Sequence, residues 1–112
     1  MIKNAAFLGS KEFGLTLLRC LFHSNKEINW TVLCPPDEDD PRSCFKKFKN
    51  FANLNNINLT IVKTPQQVAL YAKKTSIDVM IVSGYYRILP SELFSQITKG
   101  VWGIHNSKLP KY

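Results

Sequence analysis

The stretch Asp78-Val79-Met80-Ile81-Val82-Ser83 contains the densest run of β-forming residues in the chain. All of its central side chains, from Val79 to Val82, are apolar. A continuous apolar run of this length is typical of a strand that is covered on both faces. Strands of that kind belong to parallel sheets with helices on either side. The stretch therefore predicts the centre of an α/β fold.

Similar apolar segments recur on both sides of this strand, with a helical pattern between each pair. We predict strands at 4–8, 28–34, 57–62, 78–83 and 101–105, and helices at 11–22, 43–53, 66–74 and 91–98. Ser10 and Ser91 are placed to cap the first and last of these helices. Such alternation implies a parallel sheet with right-handed crossovers. No linker or repeat interrupts the pattern, so residues 1–112 are expected to form a single domain.

The composition excludes several classes of protein. With 45% hydrophobic and 21% charged residues, the chain has the composition of a globular domain. No apolar run approaches the roughly 20 residues that are needed to span a bilayer. The segment from Ala5 to Leu8, followed by Gly9, is too short for a secretory signal. We therefore expect a cytoplasmic protein with no membrane partner.

Neither the cysteines nor the acidic residues predict a metal site. Three cysteines, Cys20, Cys34 and Cys44, lack the paired spacing of zinc or redox motifs, which favours reduced and mostly buried thiols. The acidic run Asp37–Asp40 precedes Pro41. Because consecutive side chains diverge and the proline restricts the turn, we expect this run to form a solvated loop.

The formal net charge is +7, with 15 basic against 8 acidic residues. A basic balance fits either nucleic acid or an anionic small substrate as partner. The basic residues are spread along the chain, and their one tight cluster, Lys46, Lys47 and Lys49, falls on a predicted helix. A solvated helix face explains that cluster best.

A polar segment follows the last predicted strand. The apolar run Val101–Ile104 leads into His105-Asn106-Ser107, and Pro110 prevents a helix soon afterwards. In an open parallel sheet, polar groups at the carboxyl end of a strand face the crevice where ligands bind. Imidazole is also the side chain best suited to transfer protons near pH 7. A lone histidine is more often structural, so the case for His105 depends on its neighbours.

Those neighbours resemble the signature of the folate-dependent formyltransferases, in which a strand delivers a histidine followed by a Ser-Leu-Leu-Pro-like turn. The corresponding residues are His105, Ser107, Lys108, Leu109 and Pro110, continued by Lys111-Tyr112. A second block, Gly84-Tyr85-Tyr86-Arg87-Ile88-Leu89-Pro90, is similar to the loop that lines the pterin pocket of this family. With Phe7-Leu8-Gly9-Ser10-Lys11-Glu12-Phe13-Gly14, the resemblance extends over essentially the whole chain.

The resemblance, together with the strand spacing, implies a Rossmann-like three-layer α/β sandwich whose parallel sheet has the strand order 3-2-1-4-5. It implies transfer of a formyl group from 10-formyltetrahydrofolate to a primary amine, without a metal. We expect the amine of a nucleotide-linked amino sugar. Methionyl-tRNA is the alternative acceptor, and it alone would make nucleic acid a partner. A nucleotide-binding module, suggested weakly by Gly9 and Gly14, and an inactive truncated product stay open.

The resemblance also implies roles for individual residues. His105 would be the catalytic residue, donating to the developing oxyanion or carrying the proton of the amine. The folate-binding residues would be Tyr86, Arg87, Ile88, Leu89 and Pro90, and the substrate-binding residues Gly9, Ser10, Asn106 and Ser107. Within the first set, Ile88 and Leu89 would pack on the pterin, and Arg87 would either pair with a folate carboxylate or lie in water.

The sequence departs from the family pattern at two points. Gly103 stands where the family commonly has an asparagine that helps to bind the oxyanion. Asn106 is not an obvious substitute for that asparagine, because successive residues of a strand point to opposite faces and Asn106 directly follows His105. The catalytic aspartate of the family lies beyond the His motif, outside these 112 residues. We therefore expect the N-terminal part of a catalytic domain that is inactive alone. The edge of its fifth strand is expected to favour homodimers or low solubility.

Overall fold

A computed structural model of the chain describes residues 1–104. Within them, strands and helices alternate in the order β1 (Asn4–Leu8), α1 (Glu12–Ser24), β2 (Asn29–Cys34), α2 (Phe45–Leu54), β3 (Asn58–Ile61), α3 (Pro65–Lys74), β4 (Val79–Val82), α4 (Ser91–Gln96) and β5 (Val101–Gly103). Every element predicted from the sequence is present, with small shifts at its ends. None of the helices in this part of the chain combines the length and apolar character needed to cross a membrane.

The strands form one five-stranded sheet with the order β3-β2-β1-β4-β5. Each neighbouring pair is parallel. β2 and β3 lie on one side of β1, and β4 and β5 lie on the other. The predicted strand order and the α/β class are thereby confirmed. Since the direction of winding reverses between β1 and β4, the carboxyl ends of these two strands border the crevice in which such sheets bind ligands.

Apolar side chains pack on both faces of the sheet. On one face, α1 and α2 contact the strands through a cluster that includes the fully buried Phe7, Leu18 and Phe48. On the other, α3 and α4 contribute to a cluster that includes Leu8 and Leu93. Successive residues of a strand point to opposite faces, so Phe7 and Leu8 of β1 belong to different clusters. This shared central strand holds the three layers together.

The cover over β4 is less complete than the sequence predicted. Val79 and Met80 are buried, whereas Ile81 and Val82 are half-buried. On the α1 side of the sheet, an apolar groove remains open beside β4 and β5. Its lining residues include Ile2, Leu21, Ile28, Trp30, Val79, Ile81 and Trp102.

The two serine caps predicted from the sequence are wrong. Lys11 occupies the N-cap position of α1 in an extended conformation, and Ser10 is therefore one residue too early to reach the first-turn amides. At α4 the N-cap is Pro90, and Ser91 is the first helical residue without a side-chain cap bond. A side-chain cap is present at α3, where Thr64 Oγ1 accepts from the amide of Gln67 at 3.2 Å.

Candidate functional site

A cleft of about 770 Å³ opens where β1 and β4 end, at the predicted crevice. Two loops form its walls: the acidic loop, residues 35–44, which joins β2 to α2, and the β4–α4 loop, residues 83–90. The first turns of α1 and α2 complete the lining. The residues that contact the cleft are Lys11, Glu12, Phe13, Thr16, Pro41, Arg42, Ser43, Cys44, Lys47, Ser83, Gly84, Tyr86 and Ile104.

Two glycines, Gly9 in the turn after β1 and Gly14 in α1, allow these segments to approach the end of β4 closely. A Cβ atom at Gly9 would lie 2.0 Å from the carbonyl oxygen of Ser83. At Gly14 it would lie 3.2 Å from Phe7 Cζ and 3.3 Å from the same carbonyl oxygen. The amide of Gly9 also donates to the carbonyl oxygen of Leu33 at 3.1 Å. Gly9 thus contacts the backbone of both Ser83 and Leu33. The substrate contact that we expected at Gly9 stays a prediction.

An ionic cluster joins the start of α1 to the acidic loop. Lys11 Nζ donates to Asp37 Oδ2 at 2.8 Å and to Ser10 Oγ at 3.1 Å, and it lies 3.2 Å from Asp40 Oδ2. Ser10 Oγ donates to Asp37 Oδ2 at 2.6 Å, and Ser10 is fully buried. The prediction of a solvated acidic loop is therefore wrong for Asp37 and Asp40, because their carboxylates turn inward to a buried cation. A substrate contact for Ser10 stays a prediction.

The cluster favours the charged forms of both carboxylates. Burial acts to raise the pKa of Asp37, but the hydrogen bonds from Lys11 and Ser10 outweigh burial and leave that pKa below its usual value. Side-chain and backbone hydrogen bonds from Arg42 hold the pKa of Asp40 well below the usual range. Both carboxylates are therefore ionised near pH 7.

Arg42 connects the acidic loop to the opposite wall of the cleft. Its Nε and Nη2 atoms donate to the two carboxylate oxygens of Asp40, each at 3.1 Å, in the forked geometry that suits a guanidinium. The guanidinium carbon lies 5.2 Å from the centre of the Tyr86 ring. A cation at this distance over an aromatic face is attracted to it. The Arg42–Tyr86 pair thus spans the mouth of the cleft.

The β4–α4 loop presents apolar surface to solvent. Tyr86 and Ile88 are 64% and 91% exposed, whereas Leu89 is half-buried against the core. Arg87 is exposed, and its Nη1 atom donates to the carbonyl oxygen of Lys63 at 2.6 Å. Within residues 1–104, the main chain from 85 to 89 makes no backbone hydrogen bond with another segment. Exposed apolar side chains beside main-chain groups that make no backbone hydrogen bond suit a flat ring with polar edges. The predicted folate site requires such a surface.

The rest of the predicted site lies outside the described residues. This holds for the catalytic candidate His105 and for the expected substrate contacts Asn106 and Ser107. The structure does show the approach to them: the amide of Ile104 donates to the carbonyl oxygen of Val82 at 2.8 Å, and Ile104 lines the cleft. Gly103, which stands in place of the family asparagine, ends β5 and is exposed.

Sequence reasoning missed Lys11, Asp40 and Arg42. A signal for the first two was available, since Lys11 and the acidic run follow β1 and β2, which were predicted to be neighbours. The carboxyl ends of neighbouring parallel strands meet at one edge of the sheet, so opposite charges there are expected to approach each other. For metal binding, residues 1–104 contain no suitable group of three or more His, Cys, Asp or Glu side chains.

Comparison with known proteins identifies the family. Residues 24–112 match the family model described as formyl transferase. The methionyl-tRNA formyltransferase of Acetivibrio thermocellus is 32% identical over 114 residues, which cover 95% of this chain and 35% of that protein. That of Pelagibacter ubique is 29% identical over 117 residues, covering 100% and 38%. The chain thus spans about a third of the length of the curated relatives it matches. It belongs to the formyl transferase family.

Proposed function

We propose that this chain carries the folate-binding and amine-binding part of an enzyme that transfers a formyl group from 10-formyltetrahydrofolate to a primary amine. The family match over residues 24–112 is the observation that carries the proposal. The cleft at the carboxyl ends of β1 and β4 adds support, because it lies where open α/β sheets bind their ligands. We expect the reaction in the cytoplasm, as the composition predicts.

In this reaction the amine nitrogen bonds to the formyl carbon, and the bond from that carbon to the folate nitrogen breaks. The amine loses a proton and the folate nitrogen gains one, so the step needs a group that carries protons. We assign this role to His105, which directly follows the cleft residue Ile104. Alternatively, His105 donates to the formyl oxygen as negative charge develops there. One such donor contributes about 3–4 kcal/mol of transition-state stabilisation in other oxyanion sites.

We place the folate against the β4–α4 loop. Ile88, which is 91% exposed, would cover the face of the pterin, and main-chain groups between 85 and 89 would bond its polar edge. Tyr86, Leu89 and Pro90 would complete this surface. Arg87 is held on Lys63 by one hydrogen bond, which leaves its other guanidinium donors for a folate carboxylate.

The acceptor amine would enter the cleft between the two loops. The side chains of Arg42 and Lys47, both on its lining, are 65% and 63% exposed, which favours an acceptor with phosphate groups. We propose methionyl-tRNA, because the relatives named above are methionyl-tRNA formyltransferases. The nucleotide-linked amino sugar expected from the sequence offers the same amine and phosphate chemistry and is the alternative acceptor.

Release of tetrahydrofolate provides the test. The natural full-length protein is incubated with 10-formyltetrahydrofolate and either methionyl-tRNA or a nucleotide-linked amino sugar. We expect turnover with methionyl-tRNA and a loss of at least about 100-fold in His105→Ala, as is usual when a general acid–base group is removed. His23→Ala is the matched control, because His23 is an exposed residue in the last turn of α1.

The outcomes separate the proposals. Turnover with the amino sugar alone would replace methionyl-tRNA as acceptor and leave formyl transfer in place. A His105→Ala protein as active as the wild type would remove His105 from the mechanism. Absence of turnover with both acceptors would refute the proposed function.

A further inference from the structure

We propose that Lys11 is a positioning residue that fixes the acidic loop across the cleft and thereby sets the affinity for the amine acceptor. The inference rests on the proposed formyl transfer. In this role Lys11 keeps the two walls of the cleft at a fixed distance from each other. Lys11 is the residue at which the turn after β1, the acidic loop and the β4–α4 loop meet.

The ammonium group of Lys11 binds the acidic loop and the neighbouring Ser10, and it also lies 6.0 Å from the centre of the Tyr86 ring. An ammonium group has three N–H donors, and three acceptors lie within reach: Ser10 Oγ at 3.1 Å, Asp37 Oδ2 at 2.8 Å and Asp40 Oδ2 at 3.2 Å. The side chain of Lys11 is only 10% exposed, so water replaces these partners poorly. Loss of the cation would leave two carboxylates close together without their shared partner, and they would repel each other.

The stem of Lys11 lies against the opposite wall of the cleft. A Cβ atom at Gly84 would come within 2.6 Å of Lys11 Cγ and 2.8 Å of Lys11 Cβ. Gly84 also has a φ of +74°, a conformation that other residues adopt at a cost. The absence of a side chain at Gly84 therefore lets the stem cross the β4–α4 loop. One side chain thus contacts both walls, because its stem packs on the β4–α4 loop and its ammonium binds the acidic loop.

A second connection runs through Asp40. Its carboxylate binds Lys11 and also accepts the forked pair of hydrogen bonds from Arg42, whose guanidinium lies over Tyr86. The path from Lys11 through Asp40 and Arg42 therefore ends on the β4–α4 loop, against which the stem of Lys11 also packs. Without the ammonium, Asp40 loses its anchor on the body of the domain, and the acidic loop gains freedom to move away from Tyr86.

Loss of the Lys11 contacts should weaken binding of one substrate, the amine acceptor. The cleft between the two loops is the proposed entrance of the acceptor. Of the proposed folate surface, Tyr86 lines this cleft, whereas Ile88, Leu89 and Pro90 do not. A loosened acidic loop therefore lowers acceptor affinity, whereas folate affinity and the chemical step stay close to those of the wild type because most of the folate surface lies off the cleft. Kinetically, this is a rise in the acceptor KM at nearly constant kcat.

The test uses Lys11→Met, which keeps most of the apolar stem and removes the charge, in the natural full-length protein. We expect the acceptor KM to rise by about tenfold or more, the scale of losing hydrogen bonds to a charged group. The folate KM and kcat should change by less than about twofold. Lys11→Arg, which retains the charge, should recover part of the loss. Lys46→Met is the matched control, since Lys46 is exposed on α2 and does not line the cleft.

Hydrogen–deuterium exchange gives a readout that does not require activity. In Lys11→Met the amides of Asp40, Ser43 and Cys44 should exchange faster, because their hydrogen bonds belong to the acidic loop and its contact with Ser10. Amides of β1 should keep wild-type rates. Unchanged exchange in the acidic loop, a folate KM that rises as much as the acceptor KM, or faster exchange throughout the sheet would each overturn the positioning role. A wild type without turnover would refute the proposed function, and the exchange comparison would still decide whether Lys11 holds the loop.

Discussion

A carbon atom added to Gly9 would lie 2.0 Å from the carbonyl oxygen of Ser83. This contact joins the turn after β1 to the end of β4, the two strands between which the winding of the sheet reverses. The added carbon is fixed to the backbone of Gly9, and the oxygen belongs to the backbone of Ser83. Neither atom can therefore move away unless the two strands separate. The amide of Ser83 further donates to the carbonyl oxygen of Leu8 at 3.0 Å. Close approach therefore requires glycine at this position.

Replacement of Gly9 by alanine should destabilise the fold by about 3 kcal/mol or more, at or above the upper end of the range for overpacked sites. Urea unfolding followed by circular dichroism measures the change. Gly14→Ala is the matched comparison, because its Cβ would lie 3.2 Å from a Phe7 ring atom and 3.3 Å from Ser83. Small shifts relieve contacts of that length, and alanine favours the helix, so we expect a loss below about 1 kcal/mol. Equal losses in the two variants would contradict the close-approach argument.

The ion pairs of Asp37 should make stability depend on pH in acid. Because the pKa of Asp37 is lower in the folded chain than its usual value of about 3.9, its contribution is fully present above about pH 4. It is lost as pH falls through the folded pKa, where the carboxylate becomes protonated. Asp37→Asn removes the charge and tolerates the φ of 42° at this position. The gap in unfolding free energy between wild type and Asp37→Asn should therefore narrow below about pH 4.

Urea titrations at several pH values give this gap directly. Asp39→Asn serves as the control for loss of one negative charge in the same loop, since Asp39 is exposed. If the difference in unfolding free energy between wild type and Asp37→Asn stays the same down to the lowest pH, the ion pairs of Asp37 do not stabilise the fold.

The three cysteines should differ in reactivity. The sequence predicted mostly buried thiols, but only Cys34 is buried, while Cys44 is intermediate and Cys20 exposed on α1. Burial, with a smaller effect of Asp37, raises the pKa of Cys34 to about 12, so almost none of it is thiolate at pH 8. Iodoacetamide should therefore label Cys20 first and Cys34 only after unfolding. Mass spectrometry of timed samples tests this order, and early modification of Cys34 in the folded chain would contradict it.

The sheet was predictable because its signals are local and repeated. The apolar run at 79–82 and the weaker runs around it fix where strands occur, and the resemblance adds their order. The caps at Ser10 and Ser91 were not predictable in the same way. Serine favours cap positions in general, but the N-cap falls one residue after Ser10 and one residue before Ser91, and neighbouring contacts decide such shifts. At Ser10 the competing contact is a hydrogen bond to Asp37.

The ionic cluster eluded prediction for a related reason. The predicted strand order brings Lys11 and the acidic run to the same edge of the sheet, but charged side chains carry no periodic signal that shows which of them pair. The β4–α4 loop was recognised through its resemblance rather than its pattern. Ile88 illustrates this, since an isoleucine after a buried strand suggests core, whereas it is 91% exposed.

The exposure of Ile88 makes it the best single position at which to test the folate surface. An exposed apolar side chain contributes little to stability, so Ile88→Asp should unfold like the wild type. A carboxylate at this position would instead have to lose water when the face of the pterin ring covers it. Titration calorimetry of the natural full-length protein with a non-hydrolysable formyl-folate analogue should therefore show a Kd at least about tenfold weaker, or about 1.4 kcal/mol.

Leu54→Asp is the matched control for this experiment, because Leu54 is also a large apolar residue, 83% exposed, at the end of α2 and away from the β4–α4 loop. It introduces the same charge without touching the proposed folate surface, so its Kd for the analogue should equal that of the wild type. Equal affinity in Ile88→Asp and wild type would place the folate elsewhere. Equal weakening in both variants would trace the effect to net charge, because the added carboxylate would then act at a distance on an anionic ligand.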